Sequence, residues 1–429
     1  MVLSSFIRSS LRRSLIRQRE IKLENTIPIL EHRFRSLQEL GVYLHIPFCN
    51  QICPYCPYNK ELYHADVAAK YASAVISEID TYADMMGKIP VTSFYIGGGT
   101  PTTMLHSGLA KILDRIFDRF NMKCSIHMES HPNHLDAANL EAAVSMGVRY
   151  LSIGVEALQD RHLRTLKRPY NVREVIAAVN RAINKGFECV NADMIFAFPG
   201  QTYAEVEEAG RTLAAMHLDQ IAAYPLFIFP YTQMGKKDRI NRYKSAGILK
   251  RRKMLRILER IFYGAGFERT SAWAFTRKGI PKYCSVTVPL YIGLGASGSS
   301  YLRDVFYLNT FSVGEYIKAL NSGRSPIALS LDLTERMQMA GWLYWRIYET
   351  RFTKACFNER FGKDFDATYG KLMKVLTYMG FLRESNGEIT LSDRGTFWLH
   401  AFEDLFSIDY VSKLWGDFKR EAWPQKVIL

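Results

Sequence analysis

From residue 41 onward, short runs rich in β-branched and aromatic residues alternate with helix-length amphipathic stretches, and this rhythm sharply limits the folds available. The runs stand at Val42–Phe48, Ser93–Ile96, Ser125–Glu129, Tyr150–Val155, Cys189–Phe196 and Ala222–Phe229. Between them lie helical patterns such as Asp66–Met86, Ser107–Phe120 and Val172–Lys185. Neighbouring parallel strands need a crossover of about a dozen residues, usually a helix, so this order predicts an α/β protein built on a parallel sheet. Six such units suit a curled, incomplete (β/α)6 barrel. Its chemistry is then expected at the C-terminal ends of the strands, where the βα loops gather.

The flanks read differently and suggest four regions: an arm over 1–40, the partial barrel over 41–235, a barrel-completing or substrate-covering region over 236–325, and a C-terminal domain over 326–429. Residues 1–19 hold Arg8, Arg12, Arg13, Arg17 and Arg19 without an acid, and Leu3, Ile7, Leu11 and Leu15 recur every fourth residue. That is a basic amphipathic helix pattern, open to reading as an arm, a membrane-surface helix or an organelle transit segment. After residue 330 the order is helix (Leu333–Tyr348), helix (Thr353–Phe361), helix (Asp366–Met379), a strand pair about the Ser385–Gly387 turn, and a last helix. This is winged-helix-like. Its third helix offers only Lys371 and Lys374 as basic residues, too thin a footprint for duplex DNA, so no nucleic-acid partner is expected.

Composition narrows the setting. No uncharged apolar run approaches the ~18 residues that cross a bilayer, so no transmembrane segment is expected. Seven cysteines without framework spacing argue against a disulfide-stapled secreted domain and for a reducing, cytoplasmic setting. The formal charge is +14. Much of it lies between residues 235 and 265, a solvated helix face or a docking face for an acidic partner.

Three of the cysteines cluster as Cys49-Asn-Gln-Ile-Cys53-Pro-Tyr-Cys56, directly after the first strand. Thiolates three and two residues apart, on a loop held by Pro47 and Pro54, can converge on one metal centre. Buried thiols or zinc are the other readings, but structural zinc prefers four closed ligands and no matching CxxC pair follows. The Gly97-Gly-Gly99 run at the end of the second strand lets backbone approach a ligand closely.

The CxxxCxxC spacing, with Tyr55 before the last cysteine, resembles the radical S-adenosylmethionine (SAM) enzymes. Tyr43-Leu-His-Ile-Pro-Phe-Cys49, Gly97-Gly-Gly-Thr-Pro-Thr102, Gly154-Val-Glu156, Asn191-Ala-Asp193 and Phe198-Pro-Gly-Gln-Thr202 are similar in order and distance to the oxygen-independent coproporphyrinogen III oxidase family, including its haem-chaperone branch. The likeness covers residues 41–405. It implies that Cys49, Cys53 and Cys56 ligate a [4Fe–4S] cluster whose fourth iron is chelated by SAM. It further implies that Tyr43, Gly98, Gly99, Thr100 and Glu129 contact that SAM, and that Glu156, Arg168 and Asp193 serve a second SAM or the substrate.

Departures qualify this picture. The oxidase has glutamine where this chain has Glu156, and a glutamate cannot donate an amide hydrogen bond but can pair with Arg168. The oxidase's extra cysteine is replaced by Tyr58. The chaperone's His-Asn and Tyr-Trp pairs are missing near Lys282–Ser285, where Cys284 is either a haem ligand or a small buried side chain. The expected function is reductive SAM cleavage to a 5′-deoxyadenosyl radical that abstracts hydrogen from a small organic substrate, a tetrapyrrole of porphyrin biosynthesis among the candidates. A radical methyltransferase using two SAM molecules and a haem carrier are the alternatives. The expected partners are that substrate and an acidic electron donor such as flavodoxin or ferredoxin, with the chain acting as a monomer.

Overall fold

The β-rich runs are buried on both faces, as a sheet covered on both sides requires, and all six become parallel strands. The computed structural model describes residues 15–238, 246–281 and 289–429. Strands β1 (Leu40–Ile46), β2 (Pro90–Gly98), β3 (Ile126–Ser130), β4 (Val148–Glu156), β5 (Cys189–Phe196) and β6 (Gln220–Pro225) lie side by side in sequence order. Every pairing among them is parallel.

The crossovers contain α1 (Ala65–Met86), α2 (Leu109–Arg119), α3 (Ala137–Ser145), α4 (Val172–Lys185) and α5 (Tyr203–Ala215). Helices α4 and α5 both start in reciprocal capping boxes, Asn171 with Glu174 and Thr202 with Glu205. Each box satisfies backbone donors that a helix start leaves open, which fixes where the preceding βα loop ends.

The sheet continues past both edges of this parallel unit. Beyond β6, the strands β7 (Phe267–Arg269) and β8 (Ala274–Arg277) add antiparallel, and between them and α5 lies α6 (Ile248–Gly264), packed on α5. Beyond β1, β9 (Tyr291–Leu294) pairs parallel, followed antiparallel by β10 (Ser299–Leu302), β11 (Val305–Asn309) and β12 (Ile327–Asp332). The short strand Lys22–Glu24 joins β12 to the C-terminal strand Lys426–Ile428. The amphipathic pattern over residues 1–14 lies outside the described residues, as do Arg239, Arg242, Lys244 and Cys284.

Buried polar groups lock β9 to β1. Glu78 of α1 accepts from Gly295 N (2.7 Å), Tyr316 Oη (2.6 Å) and Asn309 Nδ2 (2.7 Å). Tyr71, also on α1, donates to His45 O (2.7 Å) and accepts from Ala296 N (3.0 Å). The end of β1 is therefore braced immediately before the cysteine loop starts.

The C-terminal region has its own apolar cluster, including Trp342, Phe357, Phe365 and Met373. It comprises α7 (Val313–Asn321), leading in, then α8 (Glu335–Glu349), β13 (Arg351–Thr353), α9 (Lys354–Phe361), α10 (Phe365–Tyr378), β14 (Leu382–Ser385), β15 (Glu388–Leu391) and α11 (Asp393–Phe418). Asn386 and Gly387 both have positive φ, 51° and 77°, the requirement of the tight turn joining β14 to β15. The winged order expected from sequence is thus present. On α10, neither Lys371 nor Lys374 is joined by further basic residues of the helix.

Candidate metal centre and adjoining ligand site

The cysteine loop leaves β1 at Ile46 and is pinned on two sides by backbone bonds. Gly99 N donates to Ile46 O (2.7 Å) and Thr100 N to Phe48 O (2.8 Å), while Glu61 N and Tyr63 N donate to Pro47 O (2.7 Å) and Cys49 O (3.0 Å). Side chains extend the clasp. Gln51 Nε2 donates to Lys167 O at 2.8 Å, and Asn50 meets His134 at 3.0 Å. Cys49 is buried; Cys53 and Cys56 are half-buried, and all three are free thiols.

The donor set fits an iron–sulfur cluster. Burial pushes the Cys49 thiol up to about 11 against a 3.4 Å hydrogen bond from Thr100 Oγ1, and burial also raises Cys53 against the nearby charge of Arg168. Each of these two thiols is further raised by other cysteines of the loop, so the three sit within electrostatic reach of one another. Thiols held this way need a metal cation in place of the proton to become thiolates. Among the described residues no group of His, Cys, Asp and Glu is arranged to hold a single metal ion. A cubane does not require that arrangement, because each thiolate binds a different iron.

The glycines of β2 form a cradle that a side chain would fill. A Cβ at Gly99 would lie 2.8 Å from Phe48 O and 3.0 Å from Cys49 Sγ, and one at Gly98 would lie 2.6 Å from the His45 ring. Gly98 also has φ +117°, which side-chain-bearing residues rarely adopt. The turn so formed aims Gly98 N at Glu129 Oε2 (3.0 Å), and Tyr95 Oη donates to Glu129 Oε1 (2.7 Å). Burial raises the Glu129 carboxyl while these two donors oppose the rise. Tyr43 stacks on Tyr95 at 6.1 Å and hydrogen-bonds His45 Nδ1 at 2.9 Å. Burial lowers His45 to about 4, so the ring is neutral and its other nitrogen meets Asn59 O at 3.0 Å.

A second polar group sits at the ends of β4 and β5. Glu156 closes β4 with φ +66°, and Ala197 follows β5 with φ +64°, strained conformations for residues other than glycine. Arg168 Nη2 donates to Glu156 Oε1 and, at 2.6 Å, to Tyr55 Oη. The guanidinium also lies 5.8 Å from the Tyr55 ring centroid and 5.9 Å from that of Tyr170. Burial opposes its charge, but the paired Glu156 carboxylate, with the Tyr55 hydroxyl accepting from it, holds it charged. Asp193, one strand along, accepts from Ser152 Oγ (2.8 Å) and Asn191 Nδ2 (2.9 Å). Burial, then the Glu156 charge, pushes its carboxyl up to about 7.

All eleven residues expected from sequence therefore lie on β1–β5 or on the loops leaving their C-terminal ends. Cys49 touches Thr100, Gly98 touches Glu129, and Glu156 touches Arg168, which Tyr55 links to the cysteine loop. Residues 43–213 match the family model described as the Radical SAM superfamily. The fold matches coproporphyrinogen III oxidase (HemN) from Escherichia coli with a TM-score of 0.77 over 90% of this chain and 94% of that one, at 18% identity. The chain has a HemN-like fold that carries a Radical SAM superfamily match over its parallel strands.

The chain's curated relatives carry different names. It is 25% identical to "Heme chaperone HemW" of Bacillus subtilis, over 83% of this chain and 96% of the relative. It is 26% identical to "Anaerobilin synthase" of Escherichia coli O157:H7, over 69% and 68% respectively. With "Oxygen-independent coproporphyrinogen III oxidase" of Paracoccus denitrificans it shares 23% over 66% and 67%.

Sequence reasoning missed several members of the site. Tyr95, His45, Ser152 and Asn191 each hold a candidate ligand-binding group in place. Strand alternation carries a usable signal: Tyr43 pairs with Tyr95 and His45 with Gly97 across β1 and β2, so all four share one face.

Proposed function

We propose that this chain cleaves SAM reductively at a [4Fe–4S] cluster held by Cys49, Cys53 and Cys56 and directs the resulting radical at an organic substrate, with the chemistry in residues 41–235. The observation that carries this reading is the single apposition of the cysteine loop, the Gly97–Gly99 cradle and the buried Glu129. When bound, the cluster supplies the electron that breaks the sulfonium of SAM into methionine and a 5′-deoxyadenosyl radical.

The protein's own part is to bind and orient. Glu129, buried and raised, is suited to an ammonium group, whose arrival favours the ionised carboxylate. Gly98 and Gly99 keep the cradle narrow enough for backbone contact, and Tyr43 frames it. Thr100 orients Cys49 through its hydroxyl. Glu156, Arg168 and Asp193 serve a second SAM or position the substrate. The substrate class favoured by the relatives is a tetrapyrrole, since two of them are named for coproporphyrinogen oxidation and anaerobilin synthesis.

Haem handling is the second reading, favoured by the B. subtilis relative, which aligns over nearly its whole length. One experiment separates the two. Reconstituted protein is incubated anaerobically with SAM, dithionite and coproporphyrinogen III, and nucleoside and porphyrin products are followed by mass spectrometry. Substrate-dependent 5′-deoxyadenosine with decarboxylated or ring-modified product supports the enzyme. Stoichiometric haem retention without substrate-dependent nucleoside overturns it.

A further inference from the structure

The loop carrying Cys53 and Cys56 is clasped from outside by residues remote in sequence. Met234 N donates to Pro54 O at 3.0 Å and Tyr231 Oη to Pro57 O at 2.9 Å, so the short helix Gln233–Asp238 lies against the loop. Lys419, just past α11, reaches the same place: its Nζ is 3.3 Å from Tyr231 O and 4.7 Å from the Tyr231 ring centroid. Lys60 donates from within the loop to Cys56 O (2.7 Å) and Tyr58 O (2.9 Å).

Three separate segments thus bring Lys60, Lys236 and Lys419 to one rim. Partial burial, then the charges of Lys60 and Lys236, lower the Lys419 ammonium. Lys236 and Lys419 are exposed. Like charges gathered in this way repel one another and project a positive potential into solvent. The basic run on α6 differs, although its sequence looks stronger. Arg252 is spent on the buried Glu259 at 2.8 Å.

We propose that the rim of Lys60, Lys236 and Lys419 beside the cysteine loop is the docking surface for an acidic electron-carrier protein. The inference rests on the cluster reading above and adds the place of delivery. The carrier is oxidised by one electron for each carbon–sulfur bond of SAM that breaks, and that electron passes through the loop the rim surrounds. Charge complementarity selects an acidic partner, and adjacency to Cys56 selects one that delivers electrons there.

The test is binding of an acidic flavodoxin to reconstituted protein, read by biolayer interferometry as ionic strength rises through the range where the Debye length falls from ~30 to ~10 Å. Lys236→Glu/Lys419→Glu should lose about tenfold or more in affinity at the low-salt end and flatten the salt dependence. Lys60 is left intact because it braces the loop. The exposed α6 variant Lys253→Glu/Arg256→Glu/Arg260→Glu should bind as wild type does. Iron content and dithionite-driven SAM cleavage should be unchanged in both variants. Equal binding by the Lys236/Lys419 variant, loss confined to the α6 variant, or no binding by wild type would overturn the docking proposal while leaving the cluster reading standing. Wild-type protein that takes up no iron would overturn the cluster reading, and docking with it.

Discussion

The Glu156–Arg168 pair gives the sharpest energetic expectation. Arg168 is 8% exposed at its side chain and Glu156 13%, so both charges are largely withdrawn from water. Removing one partner of such a pair leaves the other uncompensated and typically costs about 3–5 kcal/mol. Arg168 keeps Tyr55 Oη and two aromatic faces in a Glu156→Gln variant, which places that loss near the lower bound, at about 3 kcal/mol. Arg168→Met should cost about as much by stranding Glu156. In the double variant neither charge remains, so its loss should fall short of the sum by about 2–3 kcal/mol, the coupling energy of residues in direct contact. Urea denaturation of the four proteins under argon at neutral pH, followed by circular dichroism, measures each change. Single losses below about 1 kcal/mol, or strictly additive ones, would refute the idea that the pair is a buried, mutually dependent unit.

Two further outcomes are expected. Gly98→Ala should destabilise by about 2–4 kcal/mol, from left-handed strain and a Cβ 2.6 Å from the His45 ring, whereas Gly186→Ala, with φ +87° but nothing within 4 Å, should cost clearly less; equal shifts in urea midpoint would contradict the crowding. Burial raises Glu78 to about 7, above the usual unfolded value near 4.5, so its contribution is fully present below that unfolded value and is lost as pH rises through 7. The midpoint of wild type should fall over that window by more than that of Glu78→Gln, and parallel profiles would contradict the assignment.

The six parallel strands were legible because a period-two or continuously apolar run followed by a helical period has few other solutions. Their limits were less so. Phe227 and Phe229 extend the apolar run beyond β6, but they pack on Trp273 and Tyr231 after the chain has left the sheet at Pro225. Hydrophobicity reported burial there and not strand pairing. The cysteine loop announced itself through spacing and side-chain chemistry together. What sequence could not show was which distant groups meet: Arg168 reaches Tyr55 across 113 positions, and Lys419 reaches Tyr231 across 188. The charge run near residue 250 illustrates the same limit, since its spacing does not reveal that Glu259 also takes Arg269 from strand β7.

The most direct measurement is the metal and sulfide content of anaerobically reconstituted protein and its cysteine variants. About four iron and four sulfide per chain are expected, the content of a cubane cluster, with visible absorbance lost on replacing Cys49, Cys53 or Cys56 by alanine and retained on replacing Cys124, Cys189 or Cys356. A colourless protein holding one tightly bound zinc, or iron that survives each of the three replacements at Cys49, Cys53 and Cys56, would contradict the assignment.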